Sequence, residues 1–125
     1  MVEFPVFVSS RDSGEMKRYR DLQQMQHALE RIDVENGEYV VWDRMGRLVS
    51  LLVRQGPGWL ELRTEAQAVS EFQEALRRFA RSAGVELSPD SVSMDSAEGS
   101  YENVAERISK KRDRLGWFAR LKQRF

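Results

Sequence analysis

Residues 38–63 read EYVVWDRMGRLVSLLVRQGPGWLELR, and this stretch decides the fold. It holds three short apolar runs, YVVW, RLVSLLV and WLELR. The breaks between them are RMG and QGPG. A glycine closing a three-residue loop suits a type I turn that ends on a left-handed residue, and a proline between two glycines cannot continue a strand. Three antiparallel strands follow. If Arg44-Met45-Gly46 is the first loop, Trp42 pairs with Leu48, Val41 with Val49 and Tyr39 with Leu51. If QGPG is the second loop, Arg54 pairs with Trp59 and Val53 with Leu60.

Side chains alternate across a sheet, so these pairings sort the residues onto two faces. Tyr39, Val41, Val49, Leu51, Val53, Leu60 and Leu62 form one face, expected to lie under the first two helices. Val40, Trp42, Leu48, Leu52 and Trp59 form the other, with Glu38, Ser50, Arg54, Glu61 and Arg63 around them. A solvated face should be polar. Two tryptophans with three aliphatics are too apolar to stay in water and mark a surface that something covers. The candidates are the C-terminal helix, a second copy of the chain, or another protein. Val40, Trp42, Leu48, Leu52 and Trp59 are therefore the candidate partner-binding residues.

The rest of the chain fits around this meander. EFPVFVSS and EMKRYR, separated by RDSG, read as an N-terminal hairpin. Asp21 and Gln24 have the spacing of a helix cap, and Leu22, Met25, Ala28, Leu29 and Ile32 recur at helical intervals. Thr64 and Gln67 have capping-box spacing before the stripe Val69, Phe72, Leu76, Phe79 and Ala80, and Gly84 is placed to end that helix. Residues 84–99, GVELSPDSVSMDSAEG, contain serine and acid but no basic residue and read as a linker. The fold class is α+β: an antiparallel sheet of about five strands in the order β-β-α-β-β-β-α, with a C-terminal helix after the acidic linker. Residues 1–99 form the expected α+β domain, and 100–125 a basic amphipathic helix starting near Ser100.

The chain has 125 residues, 41% hydrophobic and 32% charged, with a formal net charge of zero. Residues 1–99 carry 12 basic and 17 acidic residues, and residues 100–125 carry 8 and 3. That asymmetry bears on partners more than on fold. Lys110, Lys111, Arg112, Arg114, Arg120, Lys122 and Arg124 are the candidate polyanion-binding residues. Gly116, after a cationic turn, is a usual place for a helix to stop, so one helix and two are both compatible with the pattern. An anionic membrane surface would be bound weakly and in a salt-dependent way. Nucleic acid is disfavoured, because the acidic body would repel phosphate.

Catalytic chemistry finds little support. There is no cysteine, and the single histidine, His27, lies on the side of its helix opposite the apolar stripe. Serine nucleophiles therefore lack a base. Asp33, Glu35, Glu38 and Asp43 crowd together in sequence, but an EF-hand reading from Asp33 places the glycine one residue early and Arg44 at the twelfth position. Glu38 and Asp43 end opposite ends of one strand, roughly 17 Å apart. These acids read as solvated turn and strand-end residues, with no metal, cofactor or catalytic role expected. The apolar run at the amino terminus is too short for a signal peptide, and no segment reaches the roughly 18 apolar residues of a membrane span. The expectation is a cytoplasmic, non-enzymatic protein-interaction domain binding a partner protein or itself, with inhibitors of the immunity type as one example of that class. The alternative is a peripheral binder of anionic membrane or other polyanion through the basic helix.

Overall fold

The computed structural model describes the backbone of residues 1–87 and 96–124, with side chains as far as Asp113. The centre of the expected linker, residues 88–95, and Phe125 lie outside the described residues. Five antiparallel strands form one sheet in the order β2-β1-β3-β4-β5. They are β1 (Val6–Ser10), β2 (Met16–Tyr19), β3 (Tyr39–Trp42), β4 (Arg47–Val53) and β5 (Leu60–Gln67). Helices α1 (Leu22–Ala28) and α2 (Arg31–Glu35) lie on one face, and α3 (Val69–Ser82) and α4 (Ala97–Arg124) on the other. This is an α+β domain of three layers.

The turns form where the sequence places them. At the β3–β4 hairpin, Asp43 N–H donates to Arg47 C=O at 2.9 Å and Gly46 N–H to Asp43 C=O at 3.0 Å, with Gly46 at φ 76°. Val41 faces Val49, Trp42 faces Leu48 and Val53 faces Leu60. The expected Tyr39–Leu51 pair is absent, because β3 parts from β4 beyond Val41 while staying paired with β1 as far as Ser10.

Helical expectations needed more correction. Asp21 accepts Gln24 N–H at 2.7 Å and caps α1, but the helix ends at Leu29 instead of running through Ile32. Leu29 turns extended and buries its side chain, α2 restarts the chain, and Ile32 is left 61% exposed. Thr64 does not cap α3. It sits inside β5 opposite Val49, and α3 begins after Ala68, whose side chain has nothing to cap with. The C-terminus of α3 is a Schellman motif: Val85 N–H reaches Ala80 C=O at 2.8 Å and Gly84 N–H reaches Arg81 C=O at 2.9 Å, with Gly84 at φ 75°. α4 starts three residues before Ser100 and runs through Gly116 as one helix, about 42 Å long at the standard rise.

The largest correction concerns α3. It was expected beside α1 on the Val41 face, yet Phe72, Leu76 and Phe79 pack on Phe7, Met16 and Trp42 across the opposite face. Ala97, Val104 and Ile108 of α4 close the same cluster. The Val41 face is covered by Met25, Leu29 and Val34 from α1 and α2.

Candidate interaction surface

The five residues expected to make one apolar surface do not stay together. Trp42 is 3% exposed and sits against Phe72, ring centroids 5.6 Å apart, in edge-to-face contact. Its indole N–H finds no acceptor among the described residues. Val40 and Leu48 pack at the rim of the same cluster, so these three are occupied within the chain by α3 and α4. Trp59 belongs to the other face, beside Leu51, Val53 and Leu62. It precedes the first residue of β5, where strand alternation does not yet govern its direction. Leu52 is half-buried and joins neither cluster.

What remains is a flank. Along β4 and β5 the side chains of Leu51, Leu52, Val53, Trp59, Leu62 and Thr64 are only half-buried, while β1 is buried except for Ser10. On the α3/α4 face of this flank the polar residues form their own contacts. The Ser50 hydroxyl donates to Glu65 at 2.8 Å, and Arg54 pairs with Glu61. β5 therefore presents Glu61, Arg63 and Glu65, alternating in sign.

The direction of the backbone groups follows from the hairpin. Arg54 N–H donates to Trp59 C=O at 2.6 Å, so Arg54/Trp59 face each other with their peptide groups. By the antiparallel alternation, Leu52/Glu61 and Ser50/Arg63 do the same, while the peptide groups of Leu60, Leu62 and Thr64 point away from β4. Leu60 N–H indeed turns outward, donating to Gln26 Oε1 at 3.2 Å. Beyond Thr64 the pattern shifts: Arg47 faces Gln67, so Glu65 and Ala66 together oppose Leu48 in a β-bulge.

The acidic stretch does not gather into a site. Glu35 pairs with Arg31 at 3.2 Å, and Asp33 accepts the Tyr39 hydroxyl at 3.4 Å. Asp43 is not the solvated residue expected. It is 0% exposed, and Oδ1 accepts Met45 N–H at 2.9 Å and Arg47 N–H at 3.0 Å, while Oδ2 accepts Arg47 Nε at 2.8 Å. Its carboxylate locks the loop from inside, and the Asp43-x-x-Gly46-Arg47 spacing was the available signal. Among the described residues no group of three or more His, Cys, Asp or Glu is placed to hold a metal ion.

Two concavities flank this region. One, about 210 Å³, lies between α1 and the first hairpin, lined by Lys17, Tyr19, Leu29 and Tyr39 among others. The other, about 280 Å³, opens where β3 and β4 part, lined by Arg11, Tyr39, Val40, Ser50 and Leu51. Burial pushes the phenols of Tyr19 and Tyr39 above their usual range, the latter helped by Asp33. His27, the single histidine, is exposed on α1.

In the basic helix, Lys110 pairs with Glu106 at 3.0 Å, Lys111 donates to Gly84 C=O, and Arg112 is exposed. The side chains of Arg114, Arg120, Lys122 and Arg124 lie outside the described residues. No helix among the described residues is long and apolar enough to cross a membrane.

No family model matches the chain, no curated protein does, and no solved structure does.

Proposed function

We propose that this chain is a cytoplasmic, non-enzymatic protein-interaction domain that binds through the β4–β5 flank. The observation that carries the reading is that the sheet's half-buried apolar side chains gather along β4 and β5, beside an eight-residue edge strand. Peptide groups aimed outward along such an edge accept an added strand, while neighbouring apolar side chains supply affinity. The expected binding surface thus shifts: Leu52 and Trp59 remain part of it, joined by Leu51, Val53 and Leu62, whereas Val40, Trp42 and Leu48 act as core. The non-enzymatic part of the reading is supported by composition, since the chain has no cysteine and its single histidine, His27, is exposed on α1.

Leu62→Asp places a charge on this flank without touching the outward peptide groups. Affinity purification of the tagged wild type and of this variant from the native host, with melting curves for both, tests the reading. A protein, or a second copy, that associates with the wild type and is lost in a folded variant is the expected result. Identical association by both proteins sinks the flank as the contact surface.

A second reading keeps the basic helix as a polyanion binder, supported by the concentration of positive charge in residues 100–125. Each basic residue near an anionic surface contributes about 1 kcal/mol. Lys110 and Lys111 are already engaged within the chain, which lowers what this surface has to offer. Co-sedimentation with phosphatidylserine vesicles at low and physiological salt separates the two readings.

A further inference from the structure

We infer that the occupant of the β5 edge is β5 of a second copy of this chain, joined antiparallel about a two-fold axis at Leu62. The inference rests on the flank reading and deepens it by naming the partner.

The argument starts from which backbone groups are free. Sheet pairing joins outward-pointing residues to outward-pointing residues, and in the regular part of β5 these are Leu60, Leu62 and Thr64. The bulge at Glu65 and Ala66 ends that regular part, and Gln26 already holds Leu60 N–H. A two-fold at Thr64 would run the pairing into the bulge. A two-fold at Arg63 would set Arg63 against Arg63 and Glu61 against Glu65, which is like charge against like charge at both positions. A two-fold at Leu62 avoids both problems. Leu62 then exchanges both backbone bonds with Leu62 of the second copy, and Thr64 N–H donates to its Leu60 C=O, a group that Gln26 leaves free.

The side chains agree with that register. Glu61 falls opposite Arg63 of the second copy, and by symmetry Arg63 falls opposite its Glu61. These are non-hydrogen-bonded pairs, in which side chains come closest. Glu61 already holds Arg54 within its own chain, so the second guanidinium completes a cation–anion–cation row. On the α1/α2 face, Leu62 meets its own copy beside Leu51 and Val53, whose half-buried side chains lose further solvent. The five strands would become one ten-stranded sheet. The other edge offers nothing comparable, since β2 has four residues and Arg18 on it is clipped to Glu98 and Glu102 of α4.

Such a short seam lies at the small end of specific interfaces, so the expected dissociation constant is on the order of 1–100 µM. The test is sedimentation equilibrium of the full chain over that range, with three variants checked by melting curves. Glu61→Arg and Arg63→Glu each set like charges opposite one another and should weaken the dimer at least about tenfold, while the double variant restores opposite charges and should recover it. Thr64→Pro removes an outward N–H that β4 does not use, so it should abolish the dimer while leaving the monomer folded. A wild type that is monomeric at the top of this range overturns the inference. So does a dimer indifferent to Thr64→Pro, or one that the double variant fails to restore. If the wild type is monomeric yet Leu62→Asp releases a foreign protein, self-pairing is wrong while the flank stands. If neither self-association nor any partner depends on Leu62, both fall together.

Discussion

At the β2 end of the sheet the chain packs against itself from both faces, whereas at the β5 end it does so only in part. Phe7 and Met16 lie under α3 and α4, Val6 and Tyr19 meet the α1/α2 side, and every one of these side chains is buried. Arg18, on the short outer strand, reaches Glu102 at 2.7 Å and Glu98 at 3.5 Å, with Tyr101 beneath its guanidinium. At the other end, α3 and α4 lie over Trp42 and Leu48 but do not take in Leu52, and the outermost strand is the longest of the five. The contrast divides labour within one sheet. One end carries the packing that holds the fold, and the other leaves half-buried apolar side chains beside an edge strand, where the proposed partner would bind.

The strongest way to break this comparison is to remove one side chain from each end. Phe72 is fully buried between Phe7 and Trp42, at ring centroid distances of 5.2 and 5.6 Å. Phe72→Ala should cost about 3–5 kcal/mol. Leu52→Ala, at a half-buried position outside both clusters, should cost about 1 kcal/mol or less in the monomer. Urea melts decide it, and equal losses would mean that the β5 end is as tightly packed as the other.

Where the two ends meet, Asp43 gives the next largest effect. Asp43→Ala would leave the N–H groups of Met45 and Arg47 and the Arg47 guanidinium without their acceptor at a site with no solvent access to the acid. A cost of about 2–4 kcal/mol is expected, the Arg47 side chain being partly solvated and so less penalised than a fully buried charge. Asp43→Asn keeps one acceptor oxygen and should lose roughly half as much. If both variants melt like the wild type, the buried carboxylate is not what fixes the β3–β4 loop.

This residue also shows what the sequence disclosed and what it hid. The meander was legible because RMG and QGPG allow few turns, and once these are set the Val41–Val49 and Val53–Leu60 pairs follow. The other two strands were legible separately, from EFPVFVSS and EMKRYR on either side of RDSG, and with them the α+β class. The side of the sheet taken by α3 was not legible, since the stripe Phe72, Leu76, Phe79 fits either apolar face. That the Trp42 face must be covered could be read from its composition, but the identity of the cover could not. Trp59 was misassigned because alternation was extended one residue beyond the strand, and Asp43 because an acid in a turn is usually solvated. The flank itself was invisible, because it depends on how far α3 and α4 reach across the sheet.

A smaller and more diffuse effect comes from pH. All three tyrosines, Tyr19, Tyr39 and Tyr101, have phenols raised above the ordinary value, with burial the largest cause in each. For Tyr101 the nearby Arg18 opposes that rise. A raised phenol holds its proton more tightly folded than unfolded, so its stabilisation is complete below about pH 10, the unfolded value, and is lost as pH climbs through the folded one. Stability should be flat on this account through neutral pH and decline above about 10. Phenolate absorbance at 295 nm should lag that of free tyrosine until unfolding begins. Coincidence of the two titrations would show that the tyrosines are not shielded as the packing implies.

The smallest effect tests whether charge or packing closes the β2 edge. Arg18 holds Glu102 and Glu98, and these hydrogen-bonded and coulombic partners raise its already high pKa, but the three side chains are between 37% and 60% exposed. Exposed ion pairs contribute about 0–1 kcal/mol and are screened by salt. The guanidinium also lies 5.5 Å from the centroid of Tyr101, a contact worth about 0.5–1 kcal/mol at such a site. Arg18→Met keeps the aliphatic stem over the ring and removes both charged contacts. A loss of about 1 kcal/mol is expected at low salt, shrinking as sodium chloride approaches about 1 M, where the Debye length falls to about 3 Å. That outcome would leave Phe7, Met16, Val104 and Ile108 as what closes this end of the sheet, with charge only trimming it. A loss several times larger and indifferent to salt would instead make the Arg18 clip the reason α4 docks here, and the β2 edge would depend on that helix much as the β5 edge is proposed to depend on a second chain.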